Sequence, residues 1–174
     1  MLPPGRRLPP VPIEPAMTGK LEVVPRNLLS LEYELRENGV PVGSIVRTPL
    51  QVLEKGTVRT EDRQYTILRG SVTLANFLLR GGDGVLRARA ERKGPTGAAY
   101  RILFDDSDVL LQKKVLAGRE TYLITDASVP IGSIVRESLD SRRMTVELSD
   151  RASGTPREVI LFMVWVVLLI HGRE

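Results

Sequence analysis

The sequence predicts a mainly β protein, a closed antiparallel barrel of about twelve strands around one hydrophobic C-terminal helix. Three observations point there. Apolar and polar residues alternate with period two over most of the chain. Turn residues punctuate these runs at short intervals. One long run near the C-terminus is apolar all round.

Residues 1–20 are read first, as a disordered Pro-rich arm. Pro3, Pro4, Pro9, Pro10, Pro12 and Pro15 crowd into it, favouring polyproline II and leaving too little to bury. Within the arm, Arg6-Arg7-Leu8-Pro9-Pro10-Val11-Pro12 has the spacing of an SH3 ligand, a basic residue followed by PxxP. It nominates a protein partner for the arm, although so short a match arises readily by chance. Met17 is an alternative start that would leave the arm untranslated. Arg6 and Arg7 precede no apolar stretch, so they do not read as a secretory signal.

From residue 21 to residue 174 the chain reads as a single domain. Leu31, Tyr33 and Leu35 alternate with Glu32, Glu34 and Arg36. Leu86, Ala88 and Ala90 alternate with Arg87, Arg89 and Glu91, and Met144, Val146 and Leu148 with Thr145, Glu147 and Ser149. Successive strand side chains point to opposite faces, so each run presents one apolar and one wet face, as antiparallel sheets do. Asn38-Gly39, Gly81-Gly82-Asp83-Gly84, Gly94-Pro95-Thr96-Gly97 and Asp105-Asp106-Ser107-Asp108 supply reversals. The last of these only approximates a calcium loop and is read as a turn. Roughly eleven or twelve strands fit between Leu29 and Leu148; Val72–Leu79 also fits a short helix.

One segment returns. Val40-Pro41-Val42-Gly43-Ser44-Ile45-Val46-Arg47 reappears as Val129-Pro130-Ile131-Gly132-Ser133-Ile134-Val135-Arg136, differing only at Val42 against Ile131. Two turn-plus-strand units under one backbone demand, in a pseudo-twofold architecture, account for it. Pro opens the strand, and Gly supplies either a positive φ or room for a close approach.

The last element is a helix expected over about residues 156–171. Val159 to Ile170 is uninterruptedly apolar and rich in β-branched residues, so a buried strand competes. Length favours a helix. So does the entry Thr155-Pro156-Arg157-Glu158, which has the form of a capping box with Pro at the first helical position. His171-Gly172-Arg173 is a suitable exit. A helix without a polar face must be enclosed by protein or by lipid. At about 1.5 Å per residue this run covers only ~18 Å, against about 30 Å of bilayer hydrocarbon. Charges flank both ends. Enclosure by protein follows, with a short tail anchor as the competing reading. Because the helix is about 10–12 Å wide, holding it takes more than the about eight strands of a barrel filled by its own side chains.

Composition narrows the function. The 174 residues carry 25 Lys and Arg against 21 Asp and Glu, a net charge of +4, with one His and no Cys. Thiolate metal sites and His clusters are excluded, and no cofactor is implied. The absence of Cys suits a reducing, cytoplasmic compartment. Ser44 and Ser133 lie in Gly-Ser-Ile rather than a nucleophile elbow, and no phosphate loop or dinucleotide fingerprint is present, so no enzyme is expected. Nor is a nucleic-acid motif present.

Tyr122-Leu123-Ile124-Thr125-Asp126-Ala127-Ser128-Val129-Pro130-Ile131-Gly132-Ser133-Ile134 has the order apolar strand, Asp, turn, Gly, strand. With the terminal helix and the preceding strands, it resembles the tubby C-terminal-like superfamily, and within it the LURP-one-related and phospholipid-scramblase group, over about residues 22–174. The resemblance implies a closed twelve-stranded barrel around a central helix. For tubby proteins it implies phosphoinositide binding by basic residues on the wall; for scramblases, lipid movement and a calcium site. The chain lacks the scramblases' cysteine-rich segment and a full calcium loop.

The expected function is therefore a non-enzymatic binding module for anionic phospholipid headgroups or a similar polyanion, peripheral to a membrane. The alternatives are a structural or protein-interaction domain and a tail-anchored protein. Arg47, Arg87, Arg89, Lys113, Lys114 and Arg136 are the candidate anion-binding residues, with Arg87 and Arg89 expected on one strand face.

Overall fold

The structure is a computed structural model, and it describes residues 19–27, 31–48, 54–70, 76–138 and 141–171. Most of the Pro-rich arm, with its SH3-like spacing, lies outside these residues, as do Gly172 and Arg173.

Twelve strands follow in order: β1 (Gly19–Pro25), β2 (Glu32–Glu37), β3 (Val40–Arg47), β4 (Glu54–Thr60), β5 (Gln64–Arg69), β6 (Asn76–Gly81), β7 (Leu86–Lys93), β8 (Ala99–Phe104), β9 (Ser107–Leu116), β10 (Arg119–Asp126), β11 (Val129–Arg136) and β12 (Met144–Leu148). Each pairs antiparallel with its sequence neighbours, and β1 pairs with β12 to close the barrel. Closure leaves no sheet edge to be protected. Strand β1 starts at Gly19, so the domain takes in two residues assigned to the arm from sequence. Asn76–Gly81 is strand, which settles the described part of the segment that also fitted a short helix.

A 3-10 turn at Asp150–Ala152 leads into helix α1 (Arg157–His171). The helix begins one residue later than the sequence suggests. The Pro156 carbonyl accepts from the amides of Val159 and Ile160, while the Thr155 amide closes the preceding turn on Ala152. From Val159 to Leu168 every side chain is buried, and Ile170 with them. The barrel supplies the enclosure that a helix apolar all round requires. Phe77 meets the Trp165 ring edge-on at 5.0 Å, and Phe162 stacks beside it along the helix. Facing them are inward residues such as Ile45, Val58, Ile67, Leu79, Ile102, Leu111, Ile124 and Ile134.

The repeated octapeptide forms β3 and β11. Each is the second strand of a hairpin with a bulge at the same place. Leu35 pairs with Gly43 and Arg36 with Pro41, skipping Val42; Ile124 pairs with Gly132 and Thr125 with Pro130, skipping Ile131. The one position at which the copies differ is thus the bulged one. Gly43 and Gly132 answer a close approach: a Cβ on either would lie 2.8 Å from a neighbouring backbone oxygen, that of Arg59 or of Glu147.

Another bulge corrects the sequence reading of β7. Leu79 pairs with Ala88 but Arg80 with Leu86, so Arg87 is the extra residue and the alternation resets there. Ala88 and Ala90 face the core, whereas Leu86 is exposed. Leu31 also sits outside its strand, at the margin of exposure.

Candidate functional site

Since every neighbour pair is antiparallel, all odd-numbered strands end at one rim. Helix α1 runs in the same direction. Its start lies at the opposite rim, where Arg157 reaches Glu37 beside the β2–β3 turn at 3.2 Å. Its end lies where β3 and β11 finish, with His171 beside Arg136.

The two rims differ in charge. Around the helix end stand Arg47, Lys55, Arg69, Arg136 and Arg142. Around its start the β-turns carry Asp62, Asp83, Asp105 and Asp106, interspersed with cations such as Arg63, Arg87 and Arg157. A helix presents a partial negative charge at its C-terminus, so the cationic rim complements the end of the dipole it surrounds.

Two cavities open at the cationic rim, and both are lined by Arg47. The first, of about 310 Å3, is bounded by Arg136, Arg142, Tyr33, Glu120, Tyr122 and His171 among others. Glu120 is buried on the core face of β10 and organises this wall. It takes Lys113 Nζ at 2.6 Å and Arg136 Nη1 at 3.2 Å, and Tyr122 Oη donates to it at 3.1 Å. Burial alone would raise its pKa, but the hydrogen bonds from Lys113, Tyr122 and Arg136 outweigh burial and hold the carboxyl below its ordinary value. Arg136 is locked further by donating Nε to the Ser141 carbonyl at 2.8 Å. Across the cavity, Arg142 lies over the Tyr33 ring at 5.4 Å and donates to its hydroxyl at 2.8 Å.

The second cavity, about 250 Å3, is lined by Arg47, Lys55 and Arg69 with Thr48, Leu31, Phe77, Trp165 and Leu169. It joins three cations to an apolar surface. No carboxylate lines it among the described residues. Trp165 Nε1 is buried here without a partner and packs against Gly56, where a Cβ would come within 2.7 Å of it.

The six cations expected from sequence therefore separate. Arg47, Arg136, Lys113 and Lys114 gather at the cationic rim. Arg136 and Lys113 hold Glu120, and Lys114 is exposed on the outgoing end of β9. Arg87 lies towards the opposite rim, tied at the bulge to Asp83 at 2.8 Å. Arg89 pairs with Glu91 at 3.2 Å on the outer wall. Arg87 and Arg89 do not form a joint site, because the bulge between β6 and β7 interrupts the face they were expected to share. Sequence reasoning missed Tyr33, Lys55, Arg69, Glu120, Tyr122 and Arg142. Of these Glu120 left a readable signal, a carboxylate in register with the inward Tyr122 and Ile124.

Among the described residues no cluster of His, Asp or Glu could hold a metal ion, and no helix is long and apolar enough to cross a membrane. Fold and rim together define a class, a helix-filled twelve-stranded barrel with one cationic mouth. Comparison with family models, curated proteins and solved structures finds no match to the chain.

Proposed function

We propose that this protein is a non-enzymatic, tubby-like module that binds anionic phospholipid headgroups at the cationic rim, as a peripheral protein of a cytoplasmic membrane surface. The observation that carries the reading is Arg47. It lines both rim cavities, and among the described residues no carboxylate pairs with its guanidinium. A guanidinium presented beside further cations and an apolar wall suits a phosphate oxygen with an attached organic group. The Glu120 network supports the same reading, since it fixes Arg136 in the opposite wall of the first cavity.

Flotation with phosphatidylserine-containing and pure phosphatidylcholine vesicles tests this. Binding to the anionic vesicles at low salt, weakening as salt rises, is expected. R47E should reduce that binding by about tenfold, the equivalent of ~1.4 kcal/mol, without changing thermal stability. Equal binding to both vesicle types, or none to either, overturns the reading.

A further inference from the structure

The β9–β10 hairpin carries a feature that the cavities do not explain. Pairing between β8 and β9 ends at Ala99 with Gln112, and pairing between β10 and β11 ends at Thr121 with Val135. Past these and the Lys113 amide's bond to the Ala98 carbonyl, β9 and β10 pair only with each other, Val115 with Glu120 and Leu116 with Arg119. The hairpin therefore overhangs the cationic rim as a two-stranded finger. It is closed by Ala117 and Gly118, both at positive φ, the conformation of a tight hairpin turn.

The finger ends in apolar residues that are exposed. Val115 is 73% exposed and Leu116 49%. Lys114 and Arg119, both exposed, flank them. The other exposed apolar side chains at hairpin turns stand at the opposite rim: Val40 follows Glu37, which pairs with Arg157, and Val85 and Leu86 follow Asp83, which pairs with Arg87. At the β9–β10 tip the exposed apolar pair lies between two exposed cations, and this tip projects from the rim richest in Arg and Lys among the described residues. An apolar tip with a basic collar matches the boundary of an anionic leaflet, where acyl chains lie just beneath phosphates.

We propose that the β9–β10 finger inserts into an anionic lipid surface, Val115 and Leu116 entering the headgroup–acyl boundary while Lys114 and Arg119 meet phosphates. The proposal rests on the lipid reading above and adds an orientation to it: the barrel stands with the C-terminal end of α1 towards the membrane and the opposite rim away from it.

The chain has no cysteine, so L116C and, separately, V40C each carry one environment-sensitive fluorophore. With phosphatidylserine-containing vesicles, the label at 116 should shift to the blue and brighten while the label at 40 stays as in water. In unlabelled protein, V115S/L116S should weaken vesicle binding by about tenfold or more with unchanged thermal unfolding. If the protein floats with anionic vesicles but the 116 label stays in water, the finger is overturned and the lipid reading stands. Absence of flotation overturns both. Self-association in the absence of lipid, seen by light scattering and abolished by V115S/L116S, would assign the tip to a second copy of the chain and overturn insertion.

Discussion

Arg47 and Arg136, the last residues of two octapeptides that differ at one position, finish at the same rim and line the same cavity. A repeated backbone thus becomes a paired cationic site. The device depends on Gly43 and Gly132, each pressed against a neighbouring strand. A Cβ at Gly43 would also lie 2.8 Å from Leu161 Cδ1 of the helix, and one at Gly132 would lie 2.8 Å from Leu148 Cδ2. A backbone oxygen cannot swing aside as a side-chain end does. G43A and G132A should therefore each lose about 1–3 kcal/mol, read from urea unfolding midpoints. An unchanged midpoint would show that the sheet yields there.

The turns that open the two octapeptides offer a second test. Asn38 and Gly39 have φ of 51° and 79°; Ala127 and Ser128 adopt 45° and 70° with side chains poorly suited to that region. A left-handed conformation costs an ordinary L-residue about 1–2 kcal/mol, part of which glycine returns as unfolded-state entropy. Transplanting the first turn into the second, as A127N/S128G, should raise stability by about 0.5–1.5 kcal/mol by thermal or urea unfolding.

Glu120 makes stability depend on pH. Its pKa is depressed in the folded protein, so its contribution is complete above the unfolded carboxyl value of about 4.3 and is lost as pH falls through the lower folded value. At about neutral pH, E120Q should cost roughly 2–3 kcal/mol, less than a fully buried pair would, because Lys113 remains partly exposed. The gap between E120Q and the parent should narrow as the pH falls through the depressed folded value, where the parent carboxyl itself takes up a proton. A gap independent of pH would mean that packing, and not charge, is lost.

The helix is the centre of the core, not an appendage. Val164 is wholly buried within the apolar core, and V164D would place a carboxylate there. That should exceed about 4 kcal/mol, enough to leave the protein insoluble or molten. Deletion of residues 155–174 should have the same outcome. Near-native near-UV circular dichroism in either variant would show that the barrel stands without its filling.

Much of the architecture can be read from local pattern. The alternation around Tyr33, Ala88 and Val146 identifies strands because a pleated chain sends neighbours to opposite faces. The unbroken apolar run at Val159–Ile170 demands enclosure on every side, and its width demands a large barrel. Where the reading failed, a register shift intervened. The bulge at Arg87 turns Leu86 outward and ties Arg87 to the Asp83 turn; one extra residue in a strand is invisible to a period-two count. Of the candidate site, Arg47 and Arg136 were accessible through the repeat, and Lys113 and Lys114 through their charge.

The sequence alone determined the element types and the need to wrap the last one, because both follow from periodicity and from the cost of exposing an apolar surface. Only the tertiary structure decided which charges share a rim. That depends on strand direction around a closed ring, which brings Arg47, Lys113 and Arg136 to one mouth and sends Arg87 towards the other. The same ring leaves the β9–β10 tip projecting past its neighbours, an outcome of pairing lengths and not of the composition of Val115-Leu116 itself.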